Sequence, residues 1–543
     1  MAAEQSPPSL LAEDKLETPQ GAHTSPRSSR TESSSTTTNL RDGKDPQDSE
    51  TEKDRDVERG IPVVDTTEDA DVHPPAAEQG DPNIVDWDPG DPEKAMNWPA
   101  KKIAVNMVIV STVTFLTPLA SSMAAPGEPL IMRDLHSTSE TLASFVISIY
   151  LLGYASGPLV IAPLSEIYGR LPVYWVNNIM FTAWTIGCAL APNIGGLIAL
   201  RFFAGVAGSC PLAIGAGSIA DMFPQERRGM GMSIFALGPL LGPVIGPVAG
   251  GYLAQDEGWR WVFWVIAIGS GAITVASFIF MKETYEPVLL ERKAARLRKE
   301  TDNPNLRSRL ASDKTPAEYF KLSIIRPTKM LIFSPIVLCL SVYIAVVYGY
   351  LYLLFTTLTL VFQSAYHFSQ GDVGLSYLGI GIGALVGITV FGFASDRIVK
   401  RLAAGGEMKP EYRLPLLMPG GLLIPIGLFL YGWSAEERTH WIVPIIGTFF
   451  VGLGLLGIFM PIQTYLVDAY TIHAASAVAA NTVLRSLVGC FLPLAGPAMY
   501  QRLGLGWGNS LLGFIGLALT PLGWIFYAYG ERIRKSPRFQ VKF

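Results

Sequence analysis

The chain has 543 residues, of which 49% are apolar and only 16% charged, with a net charge of −4 and a mean hydropathy of +0.31. About a quarter of residues are charged in soluble proteins, so this composition excludes an ordinary soluble domain and makes the chain a membrane protein. The slightly acidic balance argues against nucleic acid as a partner. Cys188, Cys210, Cys339 and Cys490 lie inside apolar stretches and read as small buried hydrophobes rather than disulfides or metal ligands. The six histidines form no metal-spaced cluster with them, and no cofactor fingerprint is present.

In chain order, residues 1–98 are rich in Ser, Thr, Pro, Glu and Asp, with almost no apolar periodicity, and read as a disordered cytoplasmic tail. The tail lacks the basic start and apolar core of a cleaved signal peptide, so the first spanning helix is expected to act as the signal. Asp86-Trp87 and Asn97-Trp98 near its end predict a short segment resting against the membrane face, since Trp favours the interface. From Ile103 onward, apolar runs of spanning length follow one another; about 20 residues cross a ~30 Å hydrocarbon layer. The spans are predicted at 103–124, 141–163, 172–192, 196–219, 229–253, 260–281, 332–362, 373–394, 414–434, 441–466, 476–500 and 508–529. The seventh is long enough to tilt or to extend outside.

Orientation follows from loop charge. Loops on the tail's side carry Lys101, Lys102, Arg170, Arg227, Arg228, Arg397, Lys400, Arg401, Lys409 and Arg413, with a dozen more Lys and Arg in the central loop and five after the last span. Loops on the other side carry Arg133, Arg260, Arg438 and Arg502. Both termini and the central loop are therefore expected in the cytoplasm. The predicted organisation is a tail (1–98), a six-helix half (99–281), a cytoplasmic central loop (282–329), a second six-helix half (330–530) and a short cytoplasmic tail (531–543). Within the central loop, Glu291–Glu300 reads as an amphipathic helix, either lying on anionic lipid or solvated as a linker.

The halves repeat weakly. Glu166 follows span two in APLSEIYGR and Asp396 follows span eight in GFASDRIVKR; Asp221 closes span four and Asp468 closes span ten. Two parallel six-helix repeats are one of the transporter architectures.

The strongest local signal is Gly238–Tyr252, GPLLGPVIGPVAGGY, in a stretch with no charge between Gly229 and Gln255. Pro costs about 3 kcal/mol in a soluble helix interior, whereas a membrane helix tolerates it because neighbouring helices satisfy the freed carbonyls. Gly238, Gly242, Gly246 and Gly250 share one face that admits another helix closely, expected to be one from the other half, while Pro239, Pro243 and Pro247 bend and stiffen the segment.

These elements carry a resemblance. APLSEIYGRLP at 162–172, Arg201 with Gly205 in RFFAGVAGS, and the fifth-span GPLLGPVIGPVAGG resemble, in this order and spacing, the major facilitator superfamily, and within it the fungal twelve-spanner drug:proton antiporters. ETYEPVLLERKAARLRKET, PEYRLPLLMPGG, QTYLVDAY and AASAVAANTVLRS are similar to further fungal-type stretches. Ala162, Leu171 and Ala204 depart from the family pattern of Gly, a basic residue and Gln. The resemblance covers about Asn97 to Lys535 and implies an all-α integral membrane protein of twelve transmembrane helices, the major facilitator fold. It further implies secondary efflux of a drug, toxin or secondary metabolite, in exchange for protons, from a plasma membrane and as a monomer. The rival readings are an importer or facilitator of a nutrient or polyamine in the same fold and, further off, a channel. No enzyme activity is expected, and the partners are a small-molecule substrate, protons and membrane lipid.

Each candidate residue also has its own physical reading. Glu166 and Arg170, four apart at a helix boundary, read as a gate latch or as a plain loop salt bridge of ~1 kcal/mol or less. Arg201 lies inside span four, where a cation is costly and functional unless it snorkels; the resemblance implies a part in proton coupling. Arg485 is a second intramembrane cation, with Asn481 one turn before it and Asp468 as a candidate partner. No carboxylate lies near the middle of a span; Glu128, Asp221 and Asp468 are the nearest, so no proton carrier stands out. Tyr348, Tyr352 and Phe355, with Tyr343 and Tyr350 nearby, form either an aromatic wall for a flat amphipathic substrate or ordinary packing. Gln463, Tyr465 and Asn481 are possible polar contributors.

Overall fold

The computed structural model describes residues 83–224, 227–311, 315–403, 406, 408–536 and 539; the greater part of the predicted N-terminal tail lies outside them. The first set of spans comprises α1 (Ala100–Ser122), α3 (Glu140–Tyr168), α4 (Arg170–Ala189), the broken pair α5 (Ile194–Gly208) and α6 (Cys210–Met222), α7 (Arg228–Asp256) and α8 (Trp259–Phe280), with the short α2 (Glu128–Asp134) after α1. The connecting region holds α9 (Glu286–Thr301) and α10 (Pro316–Phe333). The second set comprises α11 (Pro335–Tyr366), α12 (Gln370–Ser376) with α13 (Leu378–Ala403), α14 (Leu417–Glu436), α15 (Ile442–Tyr470), α16 (Ala474–Phe491), α17 (Gly496–Leu519) and α18 (Leu522–Lys535).

Among the described residues, ten helical stretches are long and apolar enough to cross a membrane. One of them, Ala474–Lys535, is 62 residues long, about three times what a bilayer needs. It turns back at Gly504, where φ is 74°, and so supplies the eleventh and twelfth passes. The 20-residue α4 supplies the third. Caps set several starts: Asn193 accepts from the Gly196 N–H at 2.8 Å, and Ser139, Ser334 and Ser369 cap α3, α11 and α12. The outer faces are apolar, with Val108, Ile268 and Phe393 each more than 60% exposed. That is an inside-out pattern only lipid makes favourable. The seventh pass, α11, has 32 residues and a length of about 48 Å at 1.5 Å per residue, which exceeds a ~30 Å hydrocarbon layer, so it must tilt or extend beyond that layer.

The end of the bundle bearing most Lys and Arg is called the basic end here. At the other end, among the described residues, five hydrogen bonds join the two sets of spans: Ser121 with Tyr352 at 2.6 Å, Thr359 to the Ala125 carbonyl at 3.2 Å, Gln370 to the Pro126 carbonyl, the Gly371 N–H to Gln255 at 2.9 Å, and Gln501 to Glu140 at 2.7 Å. α7 also packs against α12 and α13, with Gly251 against the Gln370 carbonyl and Gly374. The two sets are thus sealed together opposite the basic end.

The connecting region departs from expectation. Leu290 and Ala294 of α9 are fully buried, covered by Val85, Trp87, Leu306 and Leu310, so this face is neither on lipid nor solvated. The segment before α1 clasps it. β1 (Ile84–Val85) pairs in parallel with β2 (Arg307–Ser308), and Lys293 Nζ lies 2.7 Å from both Asp88 and Asp91 carboxylates. Trp87, expected on the membrane face, lies beside Lys293, and Trp98 is buried with Ala95 and Met222. The Lys293 hydrogen bond, with the Glu93 N–H, holds the Asp91 carboxyl below its usual value. A group with a depressed pKa stabilises its contact above its unfolded pKa and loses that contribution as pH falls through the folded one. The clasp is therefore expected to persist at neutral pH and loosen only in acid. Lys293→Met is expected to expose the 83–98 segment to limited proteolysis at neutral pH, read as a several-fold faster cut with the bundle intact.

Candidate functional site

Arg201 is 2% exposed and does not snorkel. Its guanidinium donates to the Ala120, Ser121 and Ile147 carbonyls at 3.3, 2.9 and 3.4 Å. Ala120 and Ser121 are among the last residues of α1, whose final carbonyls have no partner within the helix and whose end carries partial negative charge. Arg201 thus closes the end of α1 and is flanked by the Tyr150 and Phe263 rings at 5.3 and 5.7 Å. The hydroxyl of Ser121, whose carbonyl Arg201 holds, meets the Tyr352 hydroxyl of α11. The buried cation is therefore two contacts away from the other set of spans.

Tyr352 continues into an aromatic row: Tyr348 lies 5.3 Å away on one side and Phe355 5.4 Å on the other, with Tyr377 5.7 Å beyond. Tyr348, Tyr352 and Phe355 are therefore one surface, although Tyr352 and Phe355 are themselves buried. Tyr343 and Tyr350 do not join it. Tyr350 donates to the Leu512 carbonyl at 2.9 Å, and Tyr343 packs on Gly421. Arg485 lies over Tyr348 at 4.9 Å and Phe459 at 5.2 Å, which attaches it to the row. One turn away, Asn481 donates to Gln463 at 3.2 Å. Tyr465 is fully buried, its hydroxyl near Gly530 of α18.

Asp468 is not the partner of Arg485. At the basic end it takes Arg413 at 2.5 Å, and Arg413 also reaches Asp396 at 3.6 Å and the Ser395 hydroxyl at 3.1 Å. The first six spans hold the matching arrangement: Arg170 reaches Asp221 at 3.4 Å and donates to the Ser165 hydroxyl at 2.7 Å. Arg170 and Arg413 each precede a span, the third and the ninth, so they are repeat equivalents. The pairing escaped sequence reading because Arg170 follows Glu166 by four residues whereas Arg413 follows Asp396 across a longer loop. Glu283 was missed as well. Its carboxylate accepts the N–H groups of Arg170 and Leu171 at 2.9 and 3.1 Å, together with those of Thr284 and Tyr285. It thereby occupies the positive N-terminus of α4, where Gly169 with φ 94° clears its path. Burial, then the nearby Glu166, pushes the Tyr285 hydroxyl up to about 12.

The fifth-span glycines also pack differently from expectation. Gly238, Gly242, Gly246 and Gly250 face α1 of their own half, at Phe115, Leu119, Ser122 and Met123. The other half meets the adjacent face, through Val244, the Pro247 carbonyl and Gly251. Pro239, Pro243 and Pro247 stand four apart inside α7 and remove successive i−4 hydrogen bonds, in the stretch that packs on α1.

A family model described as Major Facilitator Superfamily matches residues 110–493. The chain is 61% identical over 465 residues to the MFS-type transporter penM of Penicillium rubens, covering 85% of this chain and 92% of that one. It is 57% identical over 460 residues to the MFS transporter cpaT of Aspergillus oryzae, with 84% and 93% covered, and 50% identical over 472 residues to the efflux pump radE of Floropilus chiversii, with 86% and 88% covered. Among solved structures, the xylose transporter XylE from E. coli superimposes with a TM-score of 0.59 at 15% identity, over 79% of this chain and 98% of that one. A bacterial homologue of the lysosomal transporter Spinster does so with 0.56 at 15% identity, over 81% and 100%. These likenesses agree with the twelve-pass fold. The chain belongs to the major facilitator superfamily and is a multi-pass membrane transporter, not an enzyme, closely related to transporters and an efflux pump of fungi.

Proposed function

We propose that the protein exports an amphipathic organic compound, a drug, toxin or secondary metabolite, in exchange for protons. In this reading two six-helix halves, 99–281 and 330–530, rock about the aromatic row. The basic end, both termini and the central loop face the cytoplasm, and the membrane is the plasma membrane. The observation that carries the reading is the path from Arg201 through Ser121 to Tyr352. It joins a buried cation at the end of α1 to the surface on which Tyr348, Phe355 and Arg485 gather, so a change at either is felt at the other. Support for export comes from the 50% identity to an efflux pump. The sealed end opposite the basic end fits a carrier waiting to load from the cytoplasm. Arg170–Asp221 and Arg413–Asp468 serve as paired latches that hold each half in shape while it rocks.

The test is proton movement on the purified protein. In proteoliposomes carrying an imposed pH gradient, the gradient is expected to collapse faster when a transported compound from an amphipathic panel is added, and to be unaffected by sugars or polyamines. A compound that is carried without moving protons would contradict antiport. For the latches, Asp221→Asn and Asp468→Asn each lose one charge-assisted hydrogen bond. At about 1.5 kcal/mol for a partly exposed contact, each is expected to slow transport about tenfold with the protein still in the membrane. Unchanged transport in both variants would remove the latch role.

A further inference from the structure

Glu128 begins α2, the short helix that follows α1 at the sealed end. It is 4% exposed, its Oε2 is buried with no hydrogen-bond partner, and no cation pairs with it among the described residues. The turn that carries it is pinned from the other half on both sides. Thr359 of α11 donates to the Ala125 carbonyl, and Gln370 of α12 donates to the Pro126 carbonyl. Its own half closes around it with Ala254 of α7 and Trp259 of α8, both packed on Gly127. Apart from the partial positive charge at the N-terminus of the short α2, a carboxylate in such a place has no partner to offset the loss of water, so the neutral acid is the form the sealed end tolerates.

We propose that Glu128 is a proton-binding site: the sealed end closes when Glu128 carries a proton, and opening it hydrates and deprotonates the carboxyl. This adds a proton-dependent gate to the antiport proposed above and rests on that reading for its place in the cycle. The carboxylate takes its proton from the aqueous phase on the sealed side as the end closes, and the acid returns that proton to the same phase when the end opens. Burial, with the charge of Glu140 adding to it, pushes the Glu128 carboxyl up to about 7, within reach of ordinary pH.

The surrounding charges do not substitute for it. Asp134 on the same helix is held by Arg133 and Arg260 and accepts from Trp259. Glu140 of α3 takes Gln501, and Asp372 of α12 takes the Ser369 hydroxyl. Asp256 and Glu257 end α7 on the exposed surface. The neutral Tyr377 hydroxyl shares a hydrogen bond with Thr359 at 2.9 Å and donates to the Phe355 carbonyl at 3.0 Å. The sign is definite. The closed state binds the proton more tightly than the hydrated open state, so acid favours closure and alkali favours opening. The open-to-closed ratio is expected to rise on the order of a hundredfold between about pH 5 and about pH 8, given an ordinary carboxylate in the open state.

The experiment places spin labels on exposed Glu257→Cys and Asp372→Cys, across the sealed end, in the full chain in nanodiscs without substrate. The label distance is expected to lengthen as pH rises through about 7. Glu128→Gln, a fixed neutral side chain, is expected to stay closed at every pH, and Glu128→Asp to keep a shifted titration. A response that survives Glu128→Gln would belong to another group at the same end, and would overturn the proposal. A distance in the unsubstituted chain that ignores pH would do the same. Should Glu128→Gln fail to fold, the infrared carbonyl band of a protonated carboxyl in the unsubstituted chain, lost as the labels separate, carries the test; its absence overturns the proposal. Because no substrate is present, failure here is distinct from failure of antiport, which the pH-gradient measurement reads.

Discussion

Arg201→Ala is expected to lower transport by about a hundredfold or more while the protein remains in the membrane. The arginine is surrounded by three carbonyl oxygens and two ring faces rather than by a carboxylate. Its removal leaves those acceptors facing a void, and each buried unsatisfied group costs about 1–3 kcal/mol. The loss falls on the end of α1, where Ser121 meets Tyr352, so it acts on the junction between the halves more than on the stability of either. Arg201→Lys is informative beside it. The lysine keeps the charge but not the planar fork that spans two carbonyls, so it is expected to transport little better than alanine. Steady-state protein level and efflux of any transported compound check both variants; normal efflux in Arg201→Ala would remove the residue from the coupling path.

The second large effect is expected on α7. A Cβ at Gly250 would overlap the Met123 carbonyl oxygen, and one at Gly242 would lie 2.8 Å from the Leu119 nitrogen. Both obstacles are backbone, which cannot rotate away, and overpacking a fitted interface costs typically 1–3 kcal/mol, occasionally more. Gly250→Leu and Gly242→Leu are therefore expected to push α7 off α1 and to abolish efflux. Gly251→Leu attacks a different contact. Its Cβ would lie 2.8 Å from the Gln370 carbonyl of the other half, so it is expected to hold the sealed end ajar with α1 and α7 still together. Efflux with cross-linking at the sealed end distinguishes the two; normal efflux in Gly250→Leu would leave the stripe a tolerant packing face.

The comparison with the sequence turns on these residues. The spans were legible because lipid demands long apolar runs, and Arg201 because a cation among them is conspicuous at any depth. The glycine stripe of α7 was legible as a face, but a four-residue period says nothing of which helix fills it, and the neighbour proved to be α1. The same limit applied to Arg485. Asp468 was the available acid, yet Arg413, dismissed as one loop charge among many, reaches it first. The Arg413 role was recoverable only by aligning span nine with span three. Trp87 and α9 were each amphipathic enough to suggest a membrane surface, and instead cover one another, since pairing between segments 200 residues apart leaves no local trace. Glu128 was visible as one of three carboxylates near span ends, but only the fold shows that it lacks a partner.

The central claim is proton-driven export, and accumulation in cells tests it most directly. Cells lacking the protein and cells expressing it are given a labelled panel of flat amphipathic compounds, with and without a protonophore. Proton-driven export predicts that expression lowers the retained amount of at least one compound and that the protonophore restores it. A retained amount unchanged across the panel, or one lowered equally with the proton gradient collapsed, would contradict it.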